Sequence, residues 1–295
     1  GVITACKYHP RGWLTARKTR GANAAVETDD AITQIQYWPT GLVKKVIQPD
    51  GAFTAYTYDA AHRLTDIADN AGNTIHYTLD NAGNRTKEDT KDPGNALKRT
   101  LSRVYNQLGQ LQTQKDAVLN PTGFTYDANG NTNTVTDALG RVTDNDYDPL
   151  NRLSRTLQNV GGIAAQTQFA YDAQDNLTQV TDPKGLNTTY TYNGLGDLTQ
   201  LVSPDTGTTV YTYDSAGNRA TQTDARNQTS TYSYDALNRL TGIAYATSSL
   251  NVGYTYDTTQ AVCQSGETFS TGRLTQLTDA SGSTQYCYDP FGNLV

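Results

Sequence analysis

The sequence predicts an all-β repeat protein on three grounds: a recurring Tyr-Asp dipeptide, tyrosines placed at every second residue, and turn-forming residues at a fixed offset. The second aromatic of each Tyr-x-Tyr-Asp unit defines a register position, which occurs thirteen times in 295 residues. Seven of the twelve steps between these positions are 21 residues long. The positions are Tyr8, Tyr37, Tyr58, Leu79, Tyr105, Tyr126, Tyr147, Tyr171, Tyr192, Tyr213, Tyr234, Tyr256 and Tyr288.

The tyrosines mark the strands. Nineteen of the 20 tyrosines lie at the register position or two residues before it, and Tyr245 is the exception. Residues i and i+2 of a strand share a face, so the pairs predict an aromatic ladder on one side of a sheet. Packing across strands explains such a ladder better than ligand stacking does. The clearest pairs, which we assign a structural role, are Tyr56 and Tyr58, Tyr190 and Tyr192, Tyr211 and Tyr213, and Tyr232 and Tyr234.

A tight turn is predicted after each register position. Four residues beyond it, eight of thirteen units have Gly and four more have Asn, Asp or His. These residue types best tolerate a positive φ, and the Asp that follows the register tyrosine can cap such a turn. Gly196 and Gly217 are therefore assigned as structural turn residues. Gln260 departs from this composition and opens an irregular unit over residues 256–288.

The second half of each unit predicts a bulge and another strand. Two aliphatic residues follow the turn three residues apart, as at Leu198 and Leu201. This spacing does not fit a plain strand, so we expect a β-bulge there. An Asp-x-x-Gly turn and a Thr-rich segment then complete the unit. Residues 1–295 are thus predicted to form a single array of about 13 units of about 21 residues, a long antiparallel meander of hairpins that coils because sheets twist.

Three long steps indicate insertions. They fall in the second turn of their units, at Gly21–Asp30, Lys87–Lys98 and Gln158–Ile163. Insertions on one side of a repeat array often mark an interaction face, whereas a solvated and tolerant edge explains them equally simply. We interpret this edge as the solvated one.

Composition limits the partners. The net charge is -6 and no basic stripe is visible, so nucleic acid is not an expected partner. No apolar run is long enough for a membrane span. The chain contains no methionine, which favours an internal piece of a longer protein. The sequence contains three cysteines. It is compatible with a bridge between Cys263 and Cys287 that leaves Cys6 unpaired, and also with three unpaired thiols.

Catalytic motifs are missing from the sequence. His9, His62 and His76 are scattered, and no metalloprotease, Cys-x-x-Cys or nucleophile-elbow pattern occurs. The Asp-rich turns do not offer the six to eight converging oxygens that calcium requires. We therefore expect neither an enzyme nor a bound cofactor or metal.

The repeat units resemble the RHS/YD-repeat family. The segments YTYDSAGNRATQTDA, YSYDALNRLTGI and YDPLNRLSRT match its Tyr-Asp-x-x-Gly-Arg-Leu pattern, and Gly272–Val295 is similar to its characteristic unit. The family includes bacterial RHS polymorphic toxins, the C components of Tc toxins, wall-associated repeat proteins and animal teneurins. The resemblance implies a β-strip spiralled into a hollow shell, which in the bacterial toxins encloses a C-terminal toxic domain. Asp289-Pro290-Phe291-Gly292 has letters similar to the family's self-cleaving region, but it lies in repeat register and is interpreted as a turn.

These observations favour a structural role. The expected function is that of a non-enzymatic wall segment of a shell, whose partners are an enclosed cargo polypeptide or the remainder of the same shell. The resemblance implies a bacterial source and a secreted or cell-surface location. The alternative is a cell-surface adhesion or carbohydrate-binding module that contacts glycans or a receptor.

Overall fold

A computed structural model describes residues 4–19, 21 and 30–295 of the chain. These residues form 25 β-strands and one short 3₁₀ helix, Ser248–Leu250, and they divide into two compact units. The prediction of an all-β antiparallel meander is therefore confirmed. Whether the whole chain forms one array stays a prediction.

The described part of the first unit lies within residues 4–145 and Gln158–Ile163. Each strand pairs antiparallel with the next one along the chain, from β1 through to β13. The strands are β1 Thr4–Tyr8, β2 Leu14–Thr19, β3 Ala31–Tyr37, β4 Val43–Ile47, β5 Phe53–Tyr58, β6 Leu64–Asp69, β7 Thr74–Leu79, β8 Arg85–Lys91, β9 Leu97–Tyr105, β10 Leu111–Lys115, β11 Pro121–Tyr126, β12 Thr132–Thr136 and β13 Val142–Tyr147.

The second unit covers Asp146–Leu157 and Ala164–Val295. From β15 onward each strand again pairs antiparallel with its successor. The strands are β14 Leu153–Gln158, β15 Ala165–Tyr171, β16 Leu177–Thr181, β17 Asn187–Tyr192, β18 Leu198–Ser203, β19 Gly207–Tyr213, β20 Arg219–Thr223, β21 Thr229–Tyr234, β22 Leu240–Ala244, β23 Val252–Tyr256, β24 Leu274–Asp279 and β25 Gly282–Gln285.

The predicted bulge is present in the hairpins and explains the three-residue spacing. In the β17–β18 pair, Tyr192 lies opposite Leu198 and Tyr190 lies opposite Leu201. Thr199 is the extra residue on β18, and its hydroxyl donates to the carbonyl of Thr191 at 3.0 Å. Because one residue is skipped, both leucines reach the face that carries the tyrosines.

The described residues of the two units form no conventional core. Among the described residues, the buried apolar side chains are Ala16, Tyr77 and Cys287. The tyrosines and leucines of the ladder are half-buried, since each packs against strand neighbours within its own layer. Thr275, in the irregular unit, is completely buried.

The insertions differ from one another. Residues 22–29 of the first predicted insertion lie outside the described residues. In Lys87–Lys98 the extra residues mostly lengthen β8 and β9, and a turn closed by Asp92 N–H to the carbonyl of Ala96 at 3.0 Å joins them. In Gln158–Ile163 the chain folds back, and the Val160 N–H donates to the carbonyl of Val142 at 2.9 Å.

Candidate functional site

The repeated turn is the most regular feature of the molecule. After Tyr213, the Asp214 N–H donates to the carbonyl of Asn218 at 2.9 Å and the Gly217 N–H donates to the carbonyl of Asp214 at 3.1 Å. Gly217 has a φ of +84° and Gly196 a φ of +85°. A Cβ placed on Gly217 would meet nothing within 4 Å, so the requirement for glycine there is one of backbone conformation.

The same left-handed residue recurs in other units. Twelve of the thirteen turn positions identified in the sequence have a positive φ, and Gln260 does not. In that unit an insertion follows Asp257, so the role falls on Gly272, whose φ is +80°. The Gly272 N–H donates to Oδ1 of Asp257 at 2.6 Å, and the Asp257 N–H donates to the carbonyl of Arg273 at 3.1 Å. The turn is therefore rebuilt with residues distant in sequence.

An aspartate caps most of the regular turns of this type. Asp214 Oδ1 accepts the backbone N–H groups of Ala216 and Asn218, each at 2.9 Å, while Oδ2 accepts the Asn218 side-chain amide at 3.1 Å. The Asn218 side-chain hydrogen bond is the largest cause that lowers the pKa of Asp214, followed by the backbone bonds. The charged carboxylate is thus the form that holds the turn.

In other units arginine replaces asparagine and extends the contact to the next unit. Arg152 Nε donates to Oδ2 of Asp148 at 2.7 Å, and Nη1 donates to the carbonyl of Asp172 at 2.8 Å. Its guanidinium carbon lies 4.8 Å from the centroid of the Tyr171 ring, a cation–π distance. The guanidinium of Arg239 lies in the same way 4.4 Å from the Tyr256 ring. Sequence reasoning missed this role of arginine, although its position directly after the turn residue was visible.

Most register tyrosines connect their repeat unit to the preceding one. The Tyr213 hydroxyl donates to the carbonyl of Leu198 at 2.8 Å, at the bulge where the regular ladder is interrupted. The same contact joins Tyr37 to Leu14, Tyr126 to Leu111, Tyr171 to Leu153, Tyr256 to Leu240 and Tyr288 to Leu274. The phenols thus satisfy carbonyls that the bulge leaves available.

The remaining ladder tyrosines lie on β5, β17, β19 and β21 beside these contacts. The Tyr56 carbonyl accepts the Trp38 indole N–H at 3.2 Å. Tyr232 donates to Oε1 of Gln222 at 3.3 Å, and Tyr234 donates to the carbonyl of Arg219 at 3.1 Å. Burial raises the pKa of Tyr58 and Tyr192, as expected for phenols packed within the sheet.

The cysteines separate into one bonded pair and one thiol. Cys263 and Cys287 form a disulfide with their Cα atoms 5.3 Å apart. This bond joins the segment between β23 and β24 to the residues that follow β25. Cys6 lies exposed on β1 as a free thiol.

The histidines do not assemble a reaction centre. His62 occupies a turn with a φ of +64°, and His9 stacks on Trp13 with centroids 5.1 Å apart. His76 Nδ1 lies 2.6 Å from Oδ1 of Asp66. Among residues 4–19, 21 and 30–295, no group of three or more His, Cys, Asp or Glu side chains could hold a metal ion. In the same described part of the chain, no helix has the length and apolar character to cross a bilayer.

A cavity of about 350 Å³ lies at the turn edge of the first unit, and sequence reasoning missed it as well. Trp38 and Tyr58 supply its aromatic surface, and the other lining residues come from the same two turns: Pro39, Thr40, Leu42, Thr57, Asp59, Ala60 and His62. The available signal was the Trp at a position where most units have Asp or Asn.

Two family models match the sequence. The model described as Teneurin YD-shell matches residues 94–295, and the model described as RHS Repeat matches residues 37–74 and 59–94. Comparison with curated proteins finds no match.

Solved structures share the fold. The crystal structure of TcdB2-TccC3 is 15% identical with a TM-score of 0.55, covering 100% of this chain and 24% of that chain. TcdB2-TccC3-Cdc42 is 14% identical with a TM-score of 0.56, covering 100% and 23%. The Photorhabdus luminescens Tc holotoxin pore is 15% identical with a TM-score of 0.54, covering 99% and 23%. The chain therefore spans about a quarter of the length of the solved chains it matches.

Proposed function

The chain belongs to the teneurin YD-shell family, and from this premise we propose that it is a non-enzymatic segment of a shell wall that encloses a polypeptide cargo. The shell repeat itself is a structural module. The cargo, its confinement and the lack of an activity in this chain are the proposed parts.

The observation that carries the proposal is an apolar sheet face that no second layer covers within the described residues of either compact unit. Half-buried tyrosines and leucines line one face of each unit, yet few apolar side chains in the described residues are buried. Apolar sheet faces are normally covered by another layer, so a polypeptide packed against this face is the natural complement.

The contacts between neighbouring repeats suit a wall. Tyrosine hydroxyls and arginine guanidinium groups tie successive repeats together along each compact unit, and aspartate caps close the turns within the repeats. Their effect does not depend on a central core, which a wall enclosing another chain would not have. The remainder of the shell would come from parts of the protein outside this chain, since the matched structures are about four times as long.

We further propose a secreted or cell-surface location. The Cys263–Cys287 disulfide favours an oxidising compartment, and the resemblance to toxin shells points the same way. TcdB2-TccC3 and the P. luminescens Tc holotoxin pore, which share this fold, suggest that the partners of the chain are further components of a toxin-like assembly.

The test is protease protection of the parent protein that contains this chain. We expect segments enclosed by the wall to resist a protease that rapidly cleaves the same segments expressed separately. Mass spectrometry identifies the protected peptides, and mild denaturant that opens the wall should abolish protection. Cleavage of every non-repeat segment at the rate of its isolated counterpart would contradict containment.

A further inference from the structure

We propose that Arg219 anchors a carboxylate of the polypeptide that packs on the tyrosine face, the side of the sheet that carries Tyr211 and Tyr232. The partner is an extended segment with a Glu or Asp side chain among apolar ones. This inference rests on the proposed wall, because it names the chemistry that the covering chain presents. The site consists of Arg219, Gln222, Tyr211 and Tyr232, all within the second compact unit.

Arg219 interrupts a row of aliphatic residues. Six residues after the register position, ten of the thirteen units have Leu or Val, and the exceptions are Arg85, Thr132 and Arg219. Arg219 pairs with Tyr213 across its hairpin, in the place that a leucine takes in the hairpins on either side. Departures from a local rule of the fold are expected at functional sites.

The Arg219 guanidinium is held within the tyrosine ladder before any partner arrives. Its carbon atom lies 4.9 Å from the centroid of the Tyr211 ring and 5.9 Å from that of the Tyr232 ring. Nη1 donates to Oε1 of Gln222 at 3.2 Å, and the Tyr232 hydroxyl donates to the same oxygen at 3.3 Å. A guanidinium that is already oriented loses little conformational entropy when a carboxylate binds to it.

No acidic side chain of the described residues neutralises Arg219. The side chain is exposed, and within the described part of the chain no carboxylate lies at ion-pair distance from it. Its hydrogen bond to Gln222 uses one N–H group of a planar fork that carries several. Two parallel N–H groups of such a fork match the two oxygens of a carboxylate. The guanidinium is therefore suited to a carboxylate from outside the chain.

The first compact unit has an arginine at the same position, but it also has a carboxylate on that face. The Arg85 guanidinium carbon lies 4.0 Å from the centroid of the Tyr77 ring. The residue opposite Tyr77 is Glu88, whereas the second unit has Gln222 at the equivalent position. Glu88 also lies 3.8 Å from Arg103. In the first unit the acidic group on this face thus comes from the chain itself, and in the second unit it is replaced by a neutral amide.

The surroundings of Arg219 favour a polypeptide over a free anion. In the four other hairpins between β15 and β24, the residue at the position of Gln222 is apolar: Val180, Leu201, Ile243 and Leu277. A polypeptide that covers this row removes Arg219 from water. Because a covered guanidinium without a partner is strongly unfavourable, the same segment has to supply an anion. A free anion gains nothing from the apolar row.

The test is isothermal titration of the complete chain with capped peptides that differ only at their central residue. The probes are Ser-Leu-Val-Glu-Val-Leu-Ser and its versions with Gln or Lys in place of Glu, and free acetate is titrated beside them. We expect the Glu peptide to bind about tenfold or more tightly than the Gln peptide, because it adds a charge-assisted hydrogen bond. Added salt should reduce this preference, and the Lys peptide should bind most weakly.

Three variants locate the anchor. Arg219→Leu introduces the residue that most units have at this position, so it should fold and lose the preference for Glu over Gln. Gln222→Glu supplies the carboxylate that the first unit has and should lower the affinity for the Glu peptide about tenfold. Arg85→Leu is the matched control and should keep the preference of the parent. Circular dichroism checks that each variant keeps its sheet content.

Several results would overturn the proposal: no binding of any peptide, equal binding of the Glu and Gln peptides, an unchanged preference in folded Arg219→Leu, or loss of the preference in Arg85→Leu. Binding of acetate as tight as that of the Glu peptide would also overturn it, since the site would then hold a free anion. Peptide binding by this chain does not require an enclosed cargo. Failure of the protease-protection test would therefore refute the wall and leave the anchor standing, and failure of the peptide titration would do the reverse.

Discussion

The regular unit from Tyr213 to Tyr234 and the irregular unit from Tyr256 to Tyr288 solve the same folding problem differently. The regular unit spans 21 residues and closes its turn with an aspartate cap and a left-handed glycine. The irregular unit spans 32 residues, because an insertion separates Asp257 from its turn partner Arg273. Tyr256 nevertheless pairs with Leu274, as Tyr192 pairs with Leu198 in a regular unit.

The comparison of the two units shows which interactions the repeat fold requires. Local hydrogen bonds suffice where the turn is short, since one aspartate side chain reaches the backbone across the whole turn. Where the insertion lengthens the turn, the Cys263–Cys287 disulfide is added, and the bulge residue Thr275 is completely buried. The strand pairing is therefore common to both units, and only the means of closing the turn changes.

Removing the disulfide should have the largest effect. A cross-link between residues 24 apart stabilises by about 3.5 kcal/mol through the entropy of the unfolded chain. We expect the double variant Cys263→Ser, Cys287→Ser to lose about that much in the free energy of unfolding, measured by denaturant titration. Cys6→Ser is the control and should unfold like the parent. An unchanged midpoint for the double variant would show that the irregular unit does not need the bond.

Replacing a turn glycine in the regular unit should come next. Gly217→Val forces a β-branched residue into a φ of +84° and should cost on the order of 1–2 kcal/mol or more. Gly194→Val is the matched control, because a Cβ there also meets nothing within 4 Å and its φ is not in the left-handed range. Thermal unfolding of both variants measures the difference. Equal losses of stability in the two variants would contradict the explanation that the turn requires a left-handed backbone conformation.

Deleting one hydrogen bond between neighbouring repeat units should have a smaller effect on the free energy of unfolding. Tyr213→Phe removes the donor to the carbonyl of Leu198 and should cost about 1 kcal/mol. Tyr211→Phe is the control, because the Tyr211 hydroxyl has no hydrogen-bond partner among the described residues. Denaturant unfolding compares the two. Equal stability of the two variants would mean that the tyrosines act through ring packing alone.

Acid should destabilise the regular turns, each by a small amount. Hydrogen bonds from the residues of each turn lower the pKa of the capping aspartates, so the ionised form belongs to the folded state. Their contribution is complete above the unfolded pKa of about 4 and is lost as pH falls through the lower folded value. The thermal midpoint should therefore be level from about pH 7 to 5 and fall below about pH 4.

A neutral cap provides the control for this pH dependence. Asn193 already caps a turn by accepting the N–H groups of Leu195 and Asp197 at 2.9 and 3.0 Å. Asp214→Asn should therefore keep the fold. In this variant, the protection of the Ala216 amide against hydrogen exchange should no longer decrease in acid. If that amide opens at the same pH in the variant, titration of Asp214 is not the cause.

The strands and the bulge can be predicted from the sequence because both follow from local periodicity. Tyrosines two residues apart define a face, and leucines three residues apart require one skipped residue. Counting along the chain also assigns the turn position of the irregular unit to Gln260, and this assignment is wrong. Gly272 takes over the turn there, which only the folded structure reveals.

Contacts between neighbouring repeat units are harder to predict. Arg152 reaches the Tyr171 ring and the Asp172 carbonyl only because neighbouring hairpins are aligned side by side. The sequence likewise leaves the pairing of the cysteines open, since spacing alone does not reveal which thiols meet. The Trp38 cavity depends on two adjacent turns, which no single repeat unit contains.

The most direct test of the proposed wall is a cryo-EM reconstruction of the intact parent protein that contains this chain. We predict that the tyrosine face of these repeats lines an enclosed space with additional polypeptide density inside. An array whose tyrosine face is open to solvent, with no enclosed density, would contradict the proposed containment.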